Sequence, residues 1–145
     1  HILPYVVEPS AGVDRATLAF LMDSYFEETV KDDQRIVLRL HPELAPIKVA
    51  VLPLKKNNES IRNTAIQIKN TLMKKSGWRT VYDDTAGIGK LYRRQDEIGT
   101  PFCVTVDFDT LEDQAVTVRD RDTMAQERVK IDALQEYLAA KLGNC

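Results

Sequence analysis

The run Ile47-Lys48-Val49-Ala50-Val51-Leu52-Pro53 decides the fold, because apolar side chains occupy both its odd and its even positions. A strand buried on both faces belongs to a sheet covered by helices on either side. Downstream, Asn57-Asn58-Glu59-Ser60 supplies turn and cap residues for a helix whose stripe is Ile61, Ala65, Ile68 and Leu72 and whose end is Gly77. Trp78-Arg79-Thr80-Val81-Tyr82 reads as a second strand, a polar turn follows, and a second helix spans residues 88–98 before Gly99-Thr100-Pro101. Phe102, Val104, Val106 and Phe108 then alternate with Cys103, Thr105 and Asp107 in a third strand. Two shorter strands are expected at 115–119 and 127–131, and then a last helix with Asp132 as N-cap, Gln135 completing a capping box, and Leu134, Leu138 and Leu142 as its stripe. The order β-α-β-α-β-β-β-α predicts an α/β domain over residues 46–145, with a mixed five-stranded sheet that begins parallel and ends antiparallel.

Upstream the pattern differs. Tyr5-Val6-Val7 reads as the end of a strand, Glu8-Pro9-Ser10-Ala11-Gly12 as a turn, and Leu18, Leu21, Met22, Tyr25 and Phe26 as one face of a helix over residues 14–30. Lys31-Asp32-Asp33-Gln34 is a polar break, and residues 35–46, with His41-Pro42 and Ala45-Pro46, are an extended piece and a linker. A strand-turn-helix unit whose strand lacks a sheet leads to the expectation of a piece cut from a larger protein.

The 145 residues are 43% hydrophobic and 29% charged, enough for a core and far from a disordered composition. No apolar run approaches the ~18–20 residues of a membrane span, and His1-Ile2-Leu3-Pro4 lacks a signal-peptide layout. The expectation is a cytoplasmic protein with no membrane partner. Cys103 and Cys145 are too few for a disulfide framework, and with His1 and His41 they offer no zinc spacing, so no metal site is expected. The net charge of −2 conceals segments of −4 over residues 1–46, +6 over 47–100 and −4 over 101–145. A basic centre permits a local anionic contact that the average hides.

Three places could carry chemistry. Residues 8–15 bring a carboxylate, a hydroxyl and a guanidinium around a helix start, where an Arg can meet phosphate in planar contact; the same residues also describe a capped helix with a surface Arg. Gly87-Ile88-Gly89-Lys90 suggests a phosphate loop, but the spacing between glycines is wrong and Leu91 stands where a hydroxyl would hold magnesium. What remains is a helix carrying Lys90, Arg93, Arg94, Asp96 and Glu97. Asp107, Asp109, Asp120 and Asp122 lie close to Arg119 and Arg121, which favours charge pairing over a magnesium site. With two histidines, one of them terminal, no Ser-His-Asp or Cys-His set is convincing.

Residues 8–21, Glu8-Pro9-Ser10-Ala11-Gly12-Val13-Asp14-Arg15-Ala16-Thr17-Leu18-Ala19-Phe20-Leu21, resemble motif 3 of class II aminoacyl-tRNA synthetases in the form seen in dimeric bacterial glycyl-tRNA synthetases. The resemblance continues through Leu40-His41-Pro42, residues 45–54, Arg93-Arg94-Gln95-Asp96-Glu97-Ile98-Gly99-Thr100-Pro101-Phe102, residues 104–109 and Val118-Arg119-Asp120-Arg121-Asp122-Thr123. It covers nearly the whole chain in order. It departs at Leu91, where the family usually has a second basic residue, and at Thr85-Ala86, where it has Ser-Gly-Ser.

The resemblance implies that residues 1–45 are the strand-helix end of a catalytic domain and its linker, and that residues 46–145 have the class IIa anticodon-binding fold. It implies glycine contacts from Glu8 and Ser10, and ATP contacts from Gly12, Val13, Asp14 and Arg15, with the Arg at the phosphates. The whole enzyme would be a homodimer using ATP with magnesium, glycine and tRNA(Gly), and no DNA. Motifs 1 and 2 are missing from these residues, so this chain alone is expected to bind no cofactor and to activate no glycine.

Glycine anticodons share two cytosines, each with an amine donor beside two acceptors, which suits carboxylates and cations together. Lys90, Arg93, Arg94, Asp96 and Glu97, facing Arg119 and Arg121, are the expected reader, with Phe108, Tyr82 and Tyr92 as candidate stacking surfaces. The rival expectation is a non-catalytic RNA-binding or dimerisation module of the same fold, against which the intact residues 8–15 speak.

Overall fold

A computed structural model describes residues 4–30 and 33–143; His1, Ile2 and Leu3 of the apolar start, Lys31-Asp32 of the polar break, and Cys145 lie outside the described residues. Residues 4–12 run without regular structure and are exposed, so the strand expected to end at Val7 is not formed. A strand needs a hydrogen-bonding neighbour, and none among the described residues reaches it. Helix α1 (Val13–Ser24) starts at Gly12 without a side-chain cap. Its apolar residues Leu18, Phe20, Leu21 and Met22 keep 41% to 71% of their surface exposed.

The helix expected to continue to residue 30 stops at Ser24. Strand β1 (Tyr25–Val30) instead pairs antiparallel with β2 (Asp33–Leu38), in a register running from Tyr25 opposite Leu38 to Val30 opposite Asp33. Tyr25 and Phe26 continue the spacing of the helical stripe, but aromatic and β-branched side chains also suit a strand, and the β2 ladder decides between the two.

The chain then enters the larger unit: β3 (Val49–Pro53), α2 (Glu59–Ser76), β4 (Thr80–Tyr82), α3 (Ile88–Ile98), β5 (Phe102–Val106), α4 (Phe108–Asp113), β6 (Ala115–Asp120), β7 (Gln126–Lys130) and α5 (Leu134–Leu142). The sheet order is β4-β3-β5-β6-β7, with β3 parallel to both neighbours and the β5-β6 and β6-β7 pairs antiparallel. This is the expected mixed five-stranded α/β sheet. Going out to β4 and back across β3 to β5, with right-handed crossovers, puts α2 and α3 on opposite faces. On one face Val49, Val51, Phe102, Val104, Val106 and Val118 pack against Ile61, Ala65, Ile68 and Leu72 of α2 and Leu134, Leu138 and Leu142 of α5. On the other, Ala50, Leu52 and Cys103 pack against Leu91 of α3. Each such buried aliphatic side chain contributes about 1.5–3 kcal/mol, which makes these faces the main stabilising term.

Helix α2 is capped as read, with the Asn58 Oδ1 accepting from the Ile61 N–H at 3.1 Å and Gly77 closing it at φ 71°. Two local readings need correction. Phe108 is not in the third strand, because Asp107 and Thr110 form a capping box that turns the chain into α4. Asp132 is not the N-cap of the last helix: residues Ile131–Ala133 form a single 3-10 turn, and α5 begins at Leu134 with no side-chain cap. The Ile131 N–H donates to the Gln114 carbonyl at 2.9 Å, one step past the Ala115–Lys130 pair, so the β6-β7 pairing still holds the chain at Ile131 and the helix starts later. No helix among the described residues is long and apolar enough to cross a membrane.

Candidate nucleic-acid interface

Helix α3 follows β4 and lies over the Ala50, Leu52 and Cys103 face of the sheet. Burying Leu91, Gln95 and Asp96 turns Lys90, Arg94 and Glu97 to solvent and leaves Arg93 half-buried. With Gly89, and with Asp33 from the start of β2, these four side chains line an open recess. The Arg93 guanidinium donates to the Gln34 carbonyl at 3.5 Å and sits 3.9 Å from the Asp33 carboxylate. Arg94 pairs with Asp83 and donates to Thr85 Oγ1 at 2.8 Å. Partial burial works against ionised Asp83, but hydrogen bonds from Thr85 and Arg94 outweigh it and hold the carboxyl below its usual range. Lys90 and Glu97 have no partner among the described residues. The recess therefore holds donors and acceptors side by side, a mixture suited to base edges more than to a run of phosphates.

The opposite side of the same helix faces the protein. Asp96 is fully buried and accepts from Arg119 Nη1 at 2.8 Å and Nη2 at 3.0 Å, and from Arg35 Nε at 2.9 Å. Arg35, also buried, donates to Glu28 at 2.7 Å and to the Arg121 carbonyl. Arg121 donates to the carbonyls of Gly99 at 2.8 Å and Leu40 at 2.9 Å and pairs with Asp122. Every buried side-chain polar atom among the described residues has a partner, so the network is complete. Asp96 and Arg119 do come together, as the sequence suggested, but in the interior. With Arg121 they are turned away from Lys90, Arg93, Arg94 and Glu97 and do not face them across an open site. Sequence reasoning missed Arg35, which joins the β1-β2 hairpin to this network.

The aromatic candidates also separate. The Tyr82 hydroxyl donates to Asp84 at 2.8 Å, and burial together with that bond pushes the phenol up. Tyr92 is half-buried beneath the Arg119 guanidinium, 4.8 Å from its ring centroid, and its hydroxyl meets Thr105 Oγ1 at 2.6 Å. Phe108 keeps half its surface exposed, just past the carboxyl end of β5, where open α/β sheets collect ligands. Burial pushes the Cys103 thiol up to about 12, which leaves it unreactive. Of the acids expected to pair with Arg119 and Arg121, Asp122 pairs with Arg121, while Asp107 pairs with Arg128 of β7 and Asp120 instead accepts from the Asp122 and Thr123 N–H groups at 2.9 and 2.8 Å.

Glu8, Ser10 and Gly12 lie exposed in the irregular start, and Val13, Asp14 and Arg15 in the exposed first turn of α1. Gly12 has φ −89°, and a Cβ there would meet only the Arg15 side chain, nearest at 3.8 Å, so nothing inside the chain requires glycine.

Residues 48–141, from the edge of β3 into α5, match the anticodon binding domain family. The chain belongs to that family. Among curated relatives, this anticodon binding domain chain is 55% identical to the glycine–tRNA ligase of Thermobifida fusca across all of its length and 32% of that protein's. It is 57% identical to the glycine–tRNA ligase of Clostridium acetobutylicum, over 97% of this chain and 29% of that one. It thus spans about a third of the relatives it matches. A solved prolyl-tRNA synthetase from Cryptosporidium parvum, complexed with halofuginone and AMPPNP, superposes with a TM-score of 0.67 at 24% identity, over 72% of this chain and 22% of that one, a likeness of fold. The α1 helix and the β1-β2 hairpin precede the family match.

Proposed function

We propose that this chain reads the anticodon of tRNA(Gly) as the C-terminal part of a glycine–tRNA ligase. The observation that carries the reading is the mixed-charge row Lys90, Arg93, Arg94 and Glu97 on the open face of α3, in a chain over half identical to glycine–tRNA ligases. The cations would supply donors to base acceptors, Glu97 would accept from a base amine, and Phe108 offers a ring for stacking. Asp96, Arg119 and Arg121 would hold the helix that carries the row, without touching RNA. Binding should be weak in salt dependence, since few phosphates meet cations here.

Residues 46–145 would be the anticodon-binding unit and residues 1–45 the end of the catalytic domain with its linker. In the whole ligase, a cytoplasmic homodimer, Glu8 and Ser10 would contact glycine, and Gly12, Val13, Asp14 and Arg15 would contact ATP, whose magnesium would be held mainly by residues elsewhere. Exposure of residues 8–15 is compatible with a turn completed by other parts of the enzyme. The bare apolar stripe of α1 supports a catalytic core packed against it. Titration of the chain with anticodon stem-loops tests the reading: a glycine loop should bind in preference to loops lacking its two cytosines, and equal binding of all loops would refute it. ATP–pyrophosphate exchange by this chain alone should stay at background.

A further inference from the structure

The β1-β2 hairpin lies before the family match, yet its end forms one wall of the α3 recess. Asp33 opens β2 with its side chain 85% exposed, and its carboxylate stands 3.9 Å from the Arg93 guanidinium, which also reaches the Gln34 carbonyl. Two residues further along the strand, on the same side of it, Arg35 is buried and holds Asp96 of α3 at 2.9 Å. The second guanidinium arm holds Glu28 of β1, which faces Arg35 across the hairpin. One side chain thus clamps both hairpin strands to the helix that carries the cationic row.

We propose that the hairpin is part of the RNA-reading surface, with Asp33 a specificity-determining acceptor for a cytosine amine and Arg35 the positioning residue that holds Asp33 beside Glu97. This rests on the anticodon reading above. A recess carrying Lys90, Arg93 and Arg94 alone would favour any phosphate or carbonyl oxygen. Adding the carboxylates of Asp33 and Glu97 to the recess that holds Arg93 favours an amine donor and penalises uracil, which presents an oxygen at the same edge. Arg93 is then oriented by Asp33 until a base displaces that long contact.

The test is titration of the parent chain, Asp33→Asn and Arg35→Met with a glycine anticodon stem-loop and with two loops in which one or the other shared cytosine is uracil. The parent should prefer the glycine loop over both. Asp33→Asn should lose about tenfold (~1.4 kcal/mol) of that preference against one of the two altered loops. Because Asp33 is exposed, this variant should keep the parent's unfolding curve. Arg35→Met should lose the same preference while amide exchange speeds up in β1 and β2 and stays slow in β3 and β5. A parent that discriminates and an Asp33→Asn variant that keeps both preferences within about twofold overturns the inference and leaves the anticodon reading standing. An Arg35→Met variant with parental preference overturns the positioning role. A parent that binds no loop overturns the anticodon reading itself, and the inference with it.

Discussion

Asp96 and Glu97 are neighbours on one helix with nearly the same chemistry, yet one is fully buried between two arginines and the other stands in solvent without a side-chain partner among the described residues. The same division separates Arg119 and Arg121, both buried, from Arg93 and Arg94. On α3 helical geometry causes it: successive positions lie about 100° apart, so residues that touch in sequence fall on different sides; Arg119 and Arg121 are buried from β6 and the turn that follows it. A charged motif on such a helix is thus two devices. The inner half fixes the helix to the sheet and hairpin, and the outer half is left to meet a ligand.

If that division holds, the inner half governs stability. Asp96→Ala leaves Arg35 and Arg119 buried without their counter-charge and should cost about 3–5 kcal/mol, seen in urea unfolding. Glu97→Ala should stay within about ±0.5 kcal/mol of the parent. Equal effects would break the comparison. Gly99 sharpens it at the helix end. It sits at φ 81°, and a Cβ would come 3.0 Å from Leu40 Cδ1 and 3.1 Å from the Leu38 carbonyl, so Gly99→Ala should cost about 1–3 kcal/mol. Gly89, on the open first turn with nothing within 4 Å of a Cβ, should tolerate Ala with no loss, and gain up to about 1 kcal/mol.

A smaller effect is expected where charge pairs meet water. Burial opposes ionisation of Asp107, but bonds from Arg128 and Thr110 hold its pKa below the usual range; at Asp113 the Ala115 N–H and Arg128 act in the same downward direction. A depressed folded pKa means that the stabilisation is present above the unfolded value and is lost as pH falls through the folded one. Arg128→Ala should therefore cost at most about 1 kcal/mol near neutrality. The gap to the parent should close below about pH 4 in acid unfolding curves.

The sheet was legible because its signals are local and redundant. Residues 47–53 are apolar on both faces, and Asn58 and Gly77 cap α2 where read. The hairpin was not, since Tyr25 and Phe26 fit a helical stripe and only pairing with residues 33–38 selects a strand. The position of the cationic row on α3 was legible, but not which charges face inward. Leu91 and Gln95 do mark the buried side of α3, and in β6 Arg119 lies opposite Cys103 on the face that α3 covers. That spacing was available in the sequence. Arg35 carries no such signal, because its partners outside the hairpin are 61 and 86 residues away.

The most direct measurement is an anticodon stem-loop titration of Arg93→Ala and Glu97→Ala beside the parent, with a glycine loop and a non-glycine loop. Both variants should unfold like the parent, bind the glycine loop about tenfold or more weakly, and discriminate less between the two loops. If both bind the two loops as the parent does, the open face of α3 is not the reader.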